Sequence, residues 1–183
     1  GIDREKDSLA FVNAEWTITK LEGGATAMTA RMEIFESAQS ISIIKYPARR
    51  FRTALIHSPG EKAGKTSEIA QREGMLIAMN GSYFNMKQLT PCTYFRIAEQ
   101  VLGETSASEG FRVNGVVAIK NRRGRNIVIT GCEPGQYEEV AGKWHSVLAS
   151  GPILMEDTKT VVPETMKADE NGNGIDSFYD KRH

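Results

Sequence analysis

The first third of the chain alternates between apolar and polar residues with a period of two. The alternation runs through residues 15–21, 30–35 and 40–46, and Pro47 ends the last of these runs. A period of two places successive side chains on opposite faces of a sheet, which is typical of strands with one buried face. A shorter apolar run covers residues 53–57. The first third is therefore predicted to be rich in β-strands.

One segment breaks this pattern and predicts a helix over residues 66–74. Thr66 or Ser67 is a suitable N-cap, and Gly74 suits the position just beyond a helix C-terminus. The apolar run at 75–79 follows directly and is too short for a second helix, so we expect a buried strand there. That strand would end at a turn, Asn80-Gly81-Ser82.

The second half predicts further short strands and one clear hairpin. Residues 116–120 are expected to pair with 126–130 across the basic segment Lys120–Arg125, which we interpret as a solvated turn rather than a phosphate-binding patch. Other strands are predicted at 93–97, 111–113, 146–149 and 153–155. No internal repeat or linker divides the chain. The expected fold is α+β: a single β-rich domain over residues 1–183, with a mostly antiparallel sheet and few short helices.

Charge and hydropathy exclude some classes of partner. The chain has 23 Lys and Arg residues and 23 Asp and Glu residues, so no overall field attracts nucleic acid or an anionic membrane. No apolar run reaches the roughly 18 residues of a membrane span. We therefore expect neither a nucleic-acid partner nor a membrane span. The start at Gly1 is typical of a processed or engineered terminus, so a signal peptide that has been removed is compatible with it.

Cysteine, histidine and serine give little indication of a catalytic site. Cys92 and Cys132 allow one disulfide, but two separate buried thiols are the favoured interpretation, and a nucleophilic thiol is the least favoured. The histidines are scattered, so they predict no metal pair. Ser150-Gly151 lacks the first glycine of the G-x-S-x-G motif, which argues against a serine hydrolase.

The polar tail contains a segment similar to a calcium-binding loop. Oxygen-bearing side chains occur at Asp169, Asn171, Asn173 and Asp180, and Gly174 occupies the sixth position, where such a loop turns sharply. The two neutral Asn ligands and the short Asp at the last position predict weak affinity. Calcium is thus a candidate ligand, while an exposed turn is the favoured interpretation of Asn-Gly-Asn-Gly.

Three segments in the same order resemble the phosphodiester glycosidase family. Residues 77–85, Ile-Ala-Met-Asn-Gly-Ser-Tyr-Phe-Asn, resemble that family's Ala-Ile-Asn-Gly-Gly-Tyr-Phe segment, and residues 66–70 precede them as a helix. Residues 149–154 are similar to the family's glycine-proline segment. Residues 181–183, Lys-Arg-His, resemble the start of its Arg-His-Pro-Arg-Thr segment. The three segments together span most of the chain.

The resemblance implies a hydrolase that cleaves the glycosidic bond of a sugar-1-phosphodiester. The family includes the enzyme that removes N-acetylglucosamine from a phosphodiester on mannose, and bacterial proteins linked to exopolysaccharide. A carbohydrate phosphodiester or a surface polysaccharide is therefore the expected partner, and a secreted or periplasmic location is expected. Family members carry further segments after the Arg-His pair, so we expect the domain to be truncated at its C-terminal side.

The resemblance also names candidate residues. The catalytic candidates are Asn80, Arg182 and His183, and the substrate-binding candidates are Gly81, Ser82, Tyr83, Ser150 and Gly151. Amide donors and an arginine suit a phosphodiester charge, and a histidine suits proton transfer. The catalytic carboxylate is not assigned. Without the resemblance, Asn80-Gly81 is an ordinary turn.

Two other functions compete with hydrolysis. One is a non-catalytic, calcium-dependent module that binds carbohydrate or exopolysaccharide, with Tyr83, Phe84, Tyr94 and Trp144 as aromatic platforms. The other is a structural β-rich domain, which predicts no shared site around Asn80 and Ser150.

Overall fold

The alternating segments of the first third form a three-stranded antiparallel meander. The computed structural model describes residues 3–58 and 64–161. Helix α1 (Arg4–Val12) precedes strands β1 (Thr17–Lys20), β2 (Thr26–Ile34) and β3 (Ser37–Lys45), which lie in the order β1-β2-β3. One short 3-10 turn, Glu22–Gly24, connects β1 to β2, and another, Ala48–Arg50, follows β3. The chain divides into two compact units between Phe51 and Arg52, and this meander belongs to the first.

The period of two decides which face of the meander is buried. On β2, Ala30 and Ile34 are buried while Arg31 and Glu33 are exposed. Helix α1 packs on β2, and its N-cap Asp3 accepts a hydrogen bond from the Lys6 amide at 3.1 Å. This cap satisfies one of the free amides at the helix N-terminus. None of the residues of α1 is buried.

The second unit contains a five-stranded antiparallel sheet with the strand order β5-β4-β8-β6-β7. Its strands are β4 (Phe95–Ile97), β5 (Gln100–Gly103), β6 (Gly115–Ile119), β7 (Ile127–Gly131) and β8 (Ser146–Ser150). Helices α2 (Thr66–Arg72) and α3 (Tyr137–Ala141) accompany it, together with the two-stranded ladder of β9 (Met155–Glu156) and β10 (Lys159–Thr160).

The core of the second unit lies on the central strands. β6 and β8 are hydrogen-bonded neighbours, and Ala118, Val147 and Ala149 are fully buried between the surrounding elements. Tyr94 stacks on Tyr137 with the ring centroids 4.4 Å apart. Such continuous burial requires apolar residues at nearly every position of a central strand, which explains the runs Gly-Val-Val-Ala-Ile and Ser-Val-Leu-Ala-Ser.

A buried arginine ties α3 to the sheet. The Arg96 side chain donates to the carbonyls of Ala141 at 3.0 Å and Trp144 at 2.8 Å, and also to that of Ala98. Its Nε lies 3.2 Å from the Tyr94 hydroxyl. Because five N–H donors of a guanidinium must be satisfied when buried, these main-chain carbonyls replace water as acceptors.

The α+β class with antiparallel sheets and few short helices is confirmed. The hairpin is also confirmed, with Val116 opposite Thr130 and Ile119 opposite Ile127. The expectation of one domain over residues 1–183, truncated at its C-terminal side, stays a prediction. Among the described helices, none is long and apolar enough to cross a membrane.

The predicted strand at 75–79 is wrong. These residues form no strand, and Met79 is 85% exposed. Gly74, at a φ of 67°, ends α2, and the Met75 amide returns to the Ala70 carbonyl at 2.8 Å. The start of the run therefore completes the helix terminus, and no described residue pairs with the remainder. Strands predicted at 53–57 and 111–113 are also absent, and of 153–155 only Met155 belongs to a strand.

Candidate functional site

The turn after Asn80 lies against strand β8 and the residue that follows it. A Cβ atom on Gly81 would lie 2.9 Å from the Leu148 side chain, so only glycine fits this approach without displacement. The Tyr83 hydroxyl donates to the Gly151 carbonyl at 2.5 Å. The two segments are therefore joined directly, although 68 positions separate Tyr83 from Gly151 in sequence.

An ion pair covers the ring of Tyr83. The Arg112 guanidinium carbon lies 3.8 Å from the ring centroid, and Arg112 Nε donates to Glu109 Oε2 at 2.5 Å. Only 10% of the Arg112 side chain and 19% of the Glu109 side chain are exposed. Because water screens charges weakly at this depth, the hydrogen bond to Glu109 holds the Arg112 guanidinium in place. The cation–π contact of this guanidinium then favours one position of the Tyr83 ring. We call Tyr83, Glu109 and Arg112 the tyrosine brace.

Gly151 occupies a position with no room for a side chain. A Cβ atom there would clash with the Arg112 carbonyl oxygen and lie 2.9 Å from the Asn114 amide nitrogen. Two residues further, the Ile153 amide donates to Asn114 Oδ1 at 2.8 Å. The chain leaving β8 is thus held closely against residues 112–114, and its Gly151 carbonyl has a fixed direction toward Tyr83.

The turn carries one exposed and one buried polar side chain. Asn80 is exposed. Ser82 Oγ is buried and has no hydrogen-bond partner among the residues that the structure describes. A buried hydroxyl without a partner is uncommon, because its desolvation is not compensated. Ser150, half-buried at the end of β8, lies opposite Gly115 in the ladder.

Not all predicted site residues can be placed. The structure brings Tyr83 to Gly151 and Gly81 to Leu148. The catalytic candidates Arg182 and His183 lie outside the described residues, so their roles stay predictions. The same holds for the calcium candidates, which are Asp169, Asn171, Asn173 and Asp180. Within residues 3–58 and 64–161, no cluster of His, Cys, Asp or Glu could hold a metal ion.

The cysteines are two separate thiols, as predicted, but only Cys132 is buried and Cys92 is half-buried. Burial raises the pKa of the Cys92 thiol, the nearby Glu109 charge raises this pKa further, and Arg112 lowers it. Burial also raises the pKa of the Cys132 thiol, with a smaller contribution from Glu133. Both thiols are therefore protonated at neutral pH, which does not favour a nucleophilic role.

The aromatic platforms proposed for a binding module are only partly available. Tyr94 is buried and stacked on Tyr137, so its role as a platform is wrong. Tyr83 is covered on one face by Arg112. Phe84 is 46% exposed beside the turn. Trp144 is half-buried, with Lys143 Nζ 5.8 Å from its ring.

A separate depression lies in the first unit. It has a volume of about 260 Å³ and is lined mainly by polar residues of β1, β2 and β3, including Thr17, Arg31 and Ser42. None of the predicted site residues that the structure describes lines it. We assign no chemistry to it.

Sequence reasoning missed Glu109 and Arg112. Their spacing of three is a weak indication of an ion pair on one turn. Arg112 falls within a segment predicted as a strand, where its side chain had no assigned partner. Its contact with Tyr83 depends on the fold and leaves no local pattern.

The chain matches no family model, no curated protein and no solved structure. Its function is therefore argued from the geometry around Tyr83 and from the chemistry of the adjoining turn.

Proposed function

We propose that the protein hydrolyses the glycosidic bond of a sugar-1-phosphodiester at the Asn80–Tyr83 turn. One observation carries the proposal. The 2.5 Å hydrogen bond from Tyr83 to Gly151 joins the two segments that resemble the phosphodiester glycosidases, so residues from both can contact one ligand. Segments on opposite sides of the fold would have excluded a shared site.

The groups at the turn suit a phosphodiester. The exposed Asn80 amide is a hydrogen-bond donor at this turn, and the Ser82 hydroxyl beside it is buried. Donors fixed in place before the substrate binds stabilise charge that develops on the departing phosphate. The bond between the anomeric carbon and the phosphate oxygen breaks, and a water oxygen bonds to that carbon. In this proposal Arg182 binds the phosphate and His183 transfers a proton.

Arg112 has a different role from a phosphate ligand. Its guanidinium faces Glu109 and the Tyr83 ring, and the residue is only 8% exposed. A buried arginine already paired with a carboxylate has little free capacity for a second anion. We therefore propose that Arg112 positions the Tyr83 ring, and that Tyr83 in this way positions the turn.

The test is release of N-acetylglucosamine from an N-acetylglucosamine-1-phosphodiester of a methyl glycoside. We expect Asn80→Ala to lower kcat/KM by about a hundredfold, the usual loss for one transition-state donor. Asn126→Ala is the matched control, because Asn126 is also exposed and lies in the hairpin turn. His183→Ala tests proton transfer separately. Unchanged hydrolysis in both Asn80→Ala and His183→Ala would refute the assignment.

A binding module remains the second candidate because Phe84 is exposed beside the turn. An exposed aromatic ring stacks on the apolar face of a sugar. This function predicts binding of an anionic exopolysaccharide without turnover, measured by calorimetry, and loss of binding in Phe84→Ala. The calcium-dependent form of the proposal also predicts that a chelator lowers the affinity.

A further inference from the structure

Strand β3 has one edge without a partner in the first unit. It pairs with β2 along its full length, from Ser37 opposite Ile34 to Lys45 opposite Thr26. Among the described residues, no main-chain hydrogen bond joins residues 37–45 to anything other than β2. In an antiparallel strand, every second residue directs its N–H and C=O away from the existing partner. β3 therefore presents a row of free donors and acceptors.

This edge lacks the features that usually block further pairing. Natural edge strands are short or carry charges, proline or a bulge. β3 has nine residues without a register shift, and its only charged residue is Lys45 at one end. The opposite edge strand, β1, has four residues and also ends in a lysine, Lys20. Of the two edges, β3 is the one suited to strand addition.

The first unit also has a very small core. Its buried apolar residues are Ala25, Ala30 and Ile34, and two of these are alanines. A unit of about 50 residues with such a core usually needs a disulfide, a metal or a partner for stability. On β3 itself, Ile44 is 39% exposed, and Ile41 and Ile43 are only half-buried. Additional burial by association would supply what this core lacks.

The sequence of β3 is complementary to itself in the antiparallel direction. Full overlap of the nine residues places a two-fold axis at Ile41. Ile41 then faces its own copy, each Ser40 faces a Ser42, and Lys45 faces Ser37. Directly opposed side chains share a face, so the apolar faces of both sheets join. No like charges meet, and the net charge of zero adds no general repulsion.

We propose that β3 is an interface for a second copy of this chain. Two β3 strands pair antiparallel about Ile41 and join the two meanders into one six-stranded sheet, β1-β2-β3-β3-β2-β1. The interface is isologous, which gives a closed dimer rather than a fibre. This inference is independent of the proposed hydrolysis.

The test measures molar mass by light scattering and sedimentation over a dilution series. We expect a mass twice the 20.2 kDa of the chain at high concentration, falling to 20.2 kDa on dilution. The double variant Ser40→Lys/Ser42→Lys places like charges opposite each other twice. Because both serines are exposed, the monomer tolerates the change. The dissociation midpoint should shift to at least about tenfold higher concentration.

Thr17→Lys/Thr19→Lys is the matched control. It adds the same charge to the same face of the sheet, but on edge strand β1, and both threonines are exposed. Its midpoint should match that of the unsubstituted chain. In the unsubstituted chain, amide exchange of residues 37–45 should slow as concentration rises, while that of residues 17–20 should not. This measurement does not depend on the folding of a variant.

Three results would overturn the proposal. The first is a monomer at every concentration, and the second is equal weakening by the β1 and β3 variants. The third is a dimer in which exchange of residues 37–45 does not depend on concentration, which would indicate a different interface or another occupant of this edge.

Discussion

Removal of the Tyr83 hydroxyl is the most direct test of the tyrosine brace. Tyr83→Phe deletes the donor of the 2.5 Å hydrogen bond to Gly151 and keeps the ring beneath Arg112. A protein hydrogen bond contributes about 0.5–1.5 kcal/mol net, and an acceptor left buried adds to its loss. The Gly151 carbonyl is in a half-buried residue, so water compensates only part of the loss. We expect the free energy of unfolding to fall by about 1 kcal/mol.

The assay should report on the second unit alone. Trp16 belongs to the first unit and Trp144 to the second, so fluorescence in a Trp16→Phe background follows residues from 52 onward. In urea, a loss of about 1 kcal/mol lowers the unfolding midpoint by roughly 0.3–1 M at the usual slopes. Ser108→Ala is the control, because it removes an exposed hydroxyl near Ser106 Oγ. Its effect should remain within about 0.5 kcal/mol.

The result also separates the hydrogen bond from the ring contact. Arg112→Met removes the cation–π contact and leaves Glu109 without its buried partner, so it should cost about 3 kcal/mol or more. If Tyr83→Phe leaves the midpoint equal to that of the background protein, Tyr83 does not hold Gly151 and the brace is refuted. A loss as large as that of Arg112→Met would also contradict the reasoning, because one hydroxyl would then control the whole stack.

Three further substitutions test the packing, the buried arginine and the thiols. Gly151→Ala forces a Cβ against the Arg112 carbonyl and should cost about 1–3 kcal/mol in urea unfolding, whereas Gly110→Ala, whose nearest neighbour would be 3.7 Å away, should be neutral. Arg96→Met leaves several carbonyls without donors and should lower stability by about 3 kcal/mol or more, measured by the same unfolding. Burial raises the pKa of Cys132 above 9.0 in the folded protein, so the folded state keeps the thiol proton to a higher pH than the unfolded state does. The free energy of unfolding should therefore fall as pH rises above about 9, and Cys132→Ala should make this decline shallower in unfolding curves measured across that range.

Strands with one exposed face were predictable from the sequence. In β2 and β3, polar residues on the outer face alternate with apolar residues on the inner face. This alternation indicates which side chains point toward the core. The hairpin of β6 and β7 was equally clear because two apolar runs flank a short polar turn. In both cases the pattern that specifies the strand is local, so neighbouring residues suffice to detect it.

The run at 75–79 shows where composition alone is insufficient. Five apolar residues after Gly74 are typical of a buried strand, but a strand exists only if another strand pairs with it. The sheet of the second unit instead recruits β4, β5, β6, β7 and β8. Helix α1 was not predicted, because it lacks an apolar stripe that faces a core. Its apolar residues Leu9 and Val12 are exposed in the structure. Its one local signal was Asp3, which caps the Lys6 amide.

The candidate site was only partly predictable for a similar reason. The turn at Asn80 and the glycine at 151 are visible as short segments, because each needs a particular backbone at one place. Glu109 and Arg112 act through contacts that arise only on folding. Side chains that position others have few constraints on their sequence neighbours, so no local motif identifies them.

The charge balance of the second unit narrows how a phosphodiester would be recognised. Among its described residues, two arginines are buried: Arg96 contacts main-chain carbonyls, and Arg112 contacts Glu109 and Tyr83. Neither guanidinium has N–H donors available for an anion. At the described turn, the exposed donor is therefore the neutral amide of Asn80, whereas the Ser82 hydroxyl is buried. A neutral donor binds a phosphate through a directed hydrogen bond and not through long-range charge attraction. The turn must therefore be fixed before the substrate binds. The tyrosine brace fixes the turn through Tyr83, and this links the buried Glu109–Arg112 pair to the proposed chemistry.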